Sequence, residues 1–193
     1  ASIDLSQLPN LTYLDINTSF NGNTGQLSSL NLSDVPNLTF LYCAGNQLNN
    51  LDLSNMHQLQ ALYCSGNQLV NLDLSNLPQL QELSCTENQI TNLDLSNLQQ
   101  LKKLFCSINQ ITNLNLDNCP NLVQFECSGN PITELDLSGN SELLYMVCGS
   151  PELISVNLKN GKDEILLQLN NTNNLAFICA DESQLNQIQT IVN

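Results

Sequence analysis

The sequence predicts a solenoid, a right-handed curved stack of short coils with a parallel β-sheet along its concave face. Three observations carry that prediction. Cys43, Cys64, Cys85, Cys106, Cys127 and Cys148 recur at one constant interval. Around each lies one pattern, Leu-x-x-Leu-x-Cys-x-x-Asn-x-Leu/Ile-x-x-Leu-x-Leu, followed by a short linking segment. Within the pattern, triplets such as Leu62-Tyr63-Cys64 alternate inward and outward, the period of a short strand. Self-similarity at a fixed short period is the mark of stacked-repeat architectures.

A complete copy runs from Leu59 through Leu62, Cys64, Asn67, Leu69 and Leu72 to Leu74. This is the leucine-rich-repeat signature, with Cys in a slot where Leu is commoner. Successive strands are expected to pair about 4.8 Å apart into the concave sheet. Asn46, Asn67, Asn88, Asn109 and Asn130 follow their strands where the chain turns inward. There each amide can satisfy backbone groups of its own and a neighbouring turn, forming a ladder. A coil as short as the Cys43-to-Cys64 interval leaves no room for a helix on the return side. Short extended or 3-10 segments are expected at Leu51-Asp52-Leu53-Ser54 and its copies.

The ends deviate. The step from Leu14 in the first strand to Leu41 in the second is longer than the later steps, such as Leu41 to Leu62. The excess places an inserted loop near 17–26. Pro151 replaces the ladder Asn, the motif decays through Lys159-Asn160-Gly161-Lys162, and Leu175–Ile178 reads as a last strand. Leu185, Ile188, Ile191 and Val192 follow helical spacing behind Asp181-Glu182-Ser183, predicting a capping helix over 181–192. The organisation is therefore a solenoid of seven to eight repeats over 1–180 and a C-terminal cap over 181–193.

Eighteen acids stand against four lysines and no arginine, for a net charge of −14. Such a chain repels phosphates, which disfavours nucleic acid and anionic membrane surfaces as partners. No apolar run approaches the roughly 20 residues that cross a bilayer, and the first residues do not form a signal peptide.

The repeat Leu-x-x-Leu-x-Cys-Ser-x-Asn-Gln-Leu-x-x-Leu-Asp-Leu-Ser and the segment from Asn174 to Ser183 resemble Bacteroidetes-type surface leucine-rich-repeat proteins. The resemblance spans the whole chain. It implies an exported, secreted or cell-surface protein, often with a C-terminal sorting domain, and brings no catalytic residues.

All eight cysteines stand where an apolar side chain is expected, Cys119 in a slot otherwise filled by Met56, Leu77 and Leu98, and Cys179 in the apolar cap. They are expected as reduced core thiols. Parallel Cβ directions on neighbouring strands disfavour disulfides, and a line of thiols is no tetrahedral metal site. Asp52, Asp73, Asp94 and Asp136 recur on the return side, with Asn115 and Asn157 in equivalent slots. Free exchange of Asp for Asn argues for backbone hydrogen bonding over a Ca²⁺ site. No metal or cofactor is expected.

The outward strand positions are free to vary, so their content is informative. Six of the nine aromatic residues lie there: Tyr13, Phe40, Tyr42, Tyr63, Phe105 and Tyr145. Glu82, Ser84, Lys103 and Glu126 complete the candidate ligand-binding face. Aromatic residues on an open sheet suit recognition, and also simply stabilise strands. Catalysis has little support. The single histidine, His57, lies in a linker, and Glu82 and Glu126 are about 10 Å apart on a face without a cleft. Two readings stand: a monomeric recognition module for a protein, peptide or glycan, and a structural spacer of a larger surface protein.

Overall fold

The computed structural model describes residues 3–18, 27–185 and 188. Its short strands, in chain order, are β1 (Tyr13–Asp15), β2 (Phe40–Tyr42), β3 (Ala61–Tyr63), β4 (Glu82–Ser84), β5 (Lys103–Phe105), β6 (Gln124–Glu126), β7 (Glu134–Asp136), β8 (Tyr145–Cys148), β9 (Ser155–Asn157), β10 (Leu166–Leu169) and β11 (Phe177–Cys179). Eight of them pair in parallel in the order β1-β2-β3-β4-β5-β6-β8-β10, one strand per turn of the solenoid. The fold is a parallel-sheet leucine-rich-repeat solenoid, as the period requires.

Each central strand residue meets its own kind. Leu41, Leu62, Leu83, Leu104, Phe125 and Met146 are in register and fully buried. Cys43, Cys64, Cys85, Cys106, Cys127 and Cys148 form a parallel buried column beside them. The sheet is therefore stabilised mainly by stacking between turns, each of which contacts its neighbours and little else. Burial pushes the thiols of Cys43 and Cys85 up to about 12 and that of Cys119 to about 11. At neutral pH these are apolar fillers without thiolate character.

The Asn ladder forms. The Asn67 amide donates to the carbonyls of Cys43 and Cys64 at 3.1 and 2.9 Å, and its oxygen accepts from the Leu48 backbone N–H at 3.0 Å. Asn88 and Asn109 repeat this geometry in their turns. Past Asn130 the Ser150 hydroxyl takes over, bonding to the Asn130 and Ile132 carbonyls at 2.7 and 3.0 Å. The ladder survives the loss of its Asn at Pro151 through the residue before it.

On the return side each coil closes through paired i→i+3 turns, as in Met56 N–H to Leu53 O and Leu59 N–H to Met56 O. The expected 3-10 or extended segments are extended, and the last three become real strands: β7, β9 and β11 pair as a second parallel sheet. The strand expected at Leu175–Ile178 is thus β11, on the convex sheet rather than the concave one. The Asp column behaves as backbone hydrogen bonding predicts. Asp52, Asp73, Asp94 and Asp136 each accept the backbone N–H two residues on, at 2.9–3.0 Å.

One expectation is corrected and one is described only in part. Of the expected capping helix over 181–192, the described residues show a 3-10 turn, Glu182–Gln184, followed by helical backbone at Leu185 and Ile188. Most of the remainder of 181–192 lies outside the described residues, as does 19–26, the bulk of the inserted loop with Phe20. Cys179 is exposed rather than buried. From β7 to β9 the register advances by one regular repeat, Glu134 to Ser155, but from β9 to β11 the step from Ser155 to Phe177 holds an extra residue. A one-residue slip exchanges the faces of a strand. Ile178 turns inward, while Phe177, expected in the cap, and Cys179 turn to solvent.

Candidate functional site

The in-register sheet sorts its outward side chains into two rows. One carries Tyr13, Phe40, Ala61, Glu82, Lys103, Gln124, Tyr145 and Leu166. The other carries Asp15, Tyr42, Tyr63, Ser84, Phe105, Glu126, Val147 and Gln168. All ten candidate residues, Tyr13, Phe40, Tyr42, Tyr63, Glu82, Ser84, Lys103, Phe105, Glu126 and Tyr145, lie on this face.

Four of them make one unit at its N-terminal end. Tyr42 and Tyr63 stack at 4.8 Å between ring centroids with 17° between planes. Tyr13 lies against Tyr42 at 5.4 Å and against Phe40 at 6.2 Å, both tilted. Strands spaced about 4.8 Å apart dictate this packing, because equivalent outward rings on neighbouring strands can only lie side by side. Tyr42 therefore has neighbouring rings on both sides.

The middle of the face is ionic and self-satisfied. The Tyr63 hydroxyl donates to Glu82, and Lys103 Nζ pairs with Glu82 at 2.8 Å. Burial alone would raise the Glu82 carboxyl, but Lys103 and the Tyr63 hydroxyl together hold it below its ordinary value. Desolvation and the hydrogen bond to Glu82 push the Tyr63 hydroxyl well above the ordinary phenol range. The Tyr42 hydroxyl is raised first by burial and then by its charged and phenolic neighbours. Ser65 and Ser84 share a 2.8 Å hydrogen bond beside them. A carboxylate held ionised and engaged is unsuited to general acid work. His57 is exposed in its linker, with Nδ1 3.2 Å from the Asn76 carbonyl oxygen. Among the described residues no group of His, Cys, Asp and Glu side chains has the arrangement to hold a metal ion.

The C-terminal end of the face holds a feature the sequence reading missed. Phe105, Gln124, Phe125, Glu126, Tyr145, Val147 and Leu166 surround a depression of about 170 Å³. The apolar surface continues over the edge. Backbone bonds stack Thr12, Thr39, Gln60, Gln81, Lys102, Val123, Leu144 and Ile165 in one column, which changes from polar to apolar halfway along. Ile165 and Leu166 are 66% and 38% exposed. The signal was present: one period beyond Tyr145 stands Leu166, and the change at Val123 is readable in the same period. The loss of Cys from the motif hid β10. A wider groove of about 630 Å³ lies on the convex sheet around Glu134, Asp136, Asn157 and Phe177, its lining a mixture of acids, amides and apolar side chains.

Fold and surface together define a leucine-rich-repeat solenoid with an aromatic concave face. The Leucine Rich repeats family (2 copies) matches residues 57–99. Among solved structures, the chain is 32% identical to the functional domain of InlJ from Listeria monocytogenes, whose structure includes a cysteine ladder. That match covers 93% of this chain and 46% of the other, at a TM-score of 0.64. A leucine-rich-repeat protein of Leptospira interrogans shares 22% identity over 97% of this chain and 48% of its own, at a TM-score of 0.70. An internalin C2 from Listeria monocytogenes shares 23% identity over 88% of this chain and 80% of its own, at 0.60. No curated protein matches the chain in sequence. The chain spans about half the length of the first two structures, and the matches indicate no enzymatic family. No helix among the described residues is long and apolar enough to cross a membrane.

Proposed function

We propose that this chain is the recognition segment of an exported surface protein and that its concave sheet binds a protein partner. The observation that carries the reading is the preorganised ring cluster Tyr13–Phe40–Tyr42–Tyr63. Its rings are fixed against one another before any ligand arrives, so little rotamer freedom is lost on binding. Rigid aromatic side chains dominate protein-binding hot spots. A glycan site instead wants open ring faces, and the faces of Tyr42 are occupied by Tyr13 and Tyr63. The resemblance to bacterial surface repeat proteins and the similarity to InlJ support an exported location. The net charge of −14 favours a basic partner.

The test is a screen of the intact chain and its Tyr42→Ala/Tyr63→Ala variant against extracellular proteins and a glycan array. The expected result is a protein ligand whose affinity falls at least about tenfold in the variant. A glycan ligand, or a protein ligand that binds the variant equally well, overturns the reading. Silence from both arrays with an unchanged melting curve favours the spacer.

A further inference from the structure

The depression at the C-terminal end of the concave sheet is a second anchor, distinct in chemistry from the ring cluster. Its walls are Phe105, Tyr145, Val147 and Leu166, its floor is the buried ring of Phe125, and its one charged neighbour is Glu126. A volume of about 170 Å³ accommodates one bulky apolar side chain. Glu126 is exposed and makes no ion pair among the described residues, unlike Glu82, which Lys103 neutralises. An apolar socket beside a free carboxylate is complementary to one arrangement, a large apolar group with a cation next to it.

We propose that this socket receives a bulky apolar side chain of the partner protein, with an adjacent Lys or Arg of that partner paired to Glu126. The inference rests on the reading of the concave sheet as a protein-binding surface and adds the chemistry of the segment bound. Four strand steps separate β3 from β8, so the ring cluster and the socket lie about 20 Å apart. A single extended segment or one face of a folded partner reaches both. The apolar column Val123–Leu144–Ile165 continues the contact surface beyond the socket, where the N-terminal half of the same column is polar.

Amide and methyl NMR on the intact chain tests this with two small probes that share a phenyl ring and differ in charge, 2-phenylethylamine and 3-phenylpropionate. The amine is expected to bind with a Kd on the order of millimolar, the affinity a ligand of this size can reach. It should shift Phe105, Val147 and Leu166, and the anion should bind about fivefold more weakly, the preference one exposed ion pair supports. Glu126→Gln should bring the two probes to equal affinity, and Val147→Lys should abolish both titrations. Both changes are at solvent-facing positions, so melting curves are expected to stay within a few degrees of wild type. Tyr42→Ala/Tyr63→Ala should leave the probe titration unchanged, which separates the socket from the ring cluster. Equal binding of both probes to the wild type, or no shift at Val147 and Leu166, overturns the proposal even if the ring variant abolishes partner binding. Shifts of those residues on dilution without probe also overturn it, because a second copy of the chain then occupies the socket.

Discussion

The middle turns and the last three turns follow one repeat plan but treat buried polar groups differently. In the middle, Asn109 donates to the Cys85 and Cys106 carbonyls at 3.0 and 3.1 Å and accepts from the Ile90 N–H at 3.0 Å. At the C-terminal end, Asn140 occupies a column filled elsewhere by Val35, Met56, Leu77, Leu98 and Cys119, all buried. Its amide donates to the Leu116 and Cys119 carbonyls at 3.2 and 2.8 Å, but its buried Oδ1 has no partner. Asn160 and Glu164 continue that polar intrusion, with Gln184 of the terminal 3-10 turn donating to Glu164 at 2.6 Å. On the period the ladder Asn is bonded through both its amide and its oxygen, whereas off the period Asn140 keeps a buried oxygen without a partner.

One substitution made at both places breaks or confirms this contrast. Asn109→Leu leaves the Ile90 N–H without its acceptor and takes one of two amide donors from each of the Cys85 and Cys106 carbonyls, which keep Asn88 and Asn130, and is expected to cost about 2–3 kcal/mol. Asn140→Leu strips two carbonyls of a donor but also removes an orphaned acceptor and restores the column's apolar character. It is expected to change stability by less than about 1 kcal/mol. Urea unfolding of both variants measures the difference, and equal losses would sink the comparison.

A smaller effect sharpens it within the middle turns. At the tight turn after each strand, Gly45, Gly66 and Gly129 have φ of 74°, 64° and 69°, but Glu87 and Ile108 adopt 56° and 55°. A β-branched residue is ill suited to that left-handed conformation, and Ile108 is also 54% exposed. Ile108→Gly is expected to stabilise the chain by roughly 0.5–1 kcal/mol, read as a rise in the urea midpoint. A loss would show that the exposed Ile108 side chain contributes packing that outweighs its backbone strain.

The smallest effect concerns the convex Asp column. Asp52, Asp73 and Asp94 have lowered carboxyl pKa values because the serine two residues on donates its backbone N–H and its hydroxyl; neighbouring carboxylates oppose this at Asp52 and Asp94. Values depressed in the folded chain mean stability that is present above the unfolded carboxylate range, near pH 4, and lost as pH falls through the folded values. The melting temperature is expected to be flat from about pH 7 to pH 5 and to fall below about pH 4. Asp52→Asn/Asp73→Asn/Asp94→Asn should reduce that fall by a few degrees, since Asn115 and Asn157 already make the same turn uncharged. An unchanged profile would place the acid sensitivity elsewhere.

The regular part of this architecture was legible because burial and period coincide. Cys64, Asn67 and Leu62 each announce a stack by recurring one period on, and the outward residues between them follow by alternation. The concave candidates share one face for that reason, and their binding role is a proposal. What was not legible depends on register and on neighbours. Leu169 takes the Cys slot of β10, so the eighth strand carried no cysteine to mark it. The extra residue between β9 and β11 reverses Cys179 and Phe177, and no composition rule shows which way a slipped strand faces. The socket was missed because it needs Phe105, Val147 and Leu166 from three turns at once, each unremarkable alone.

The one-strand-per-turn sheet also makes the molecule a ruler. Adding or deleting a whole turn between β3 and β8 would preserve every ladder contact, because each side chain would again meet its own kind. The only quantity altered would be the separation of ring cluster and socket, in steps of about 4.8 Å. Spacing between contact points can thus change by duplication of a repeat, without any new surface being built.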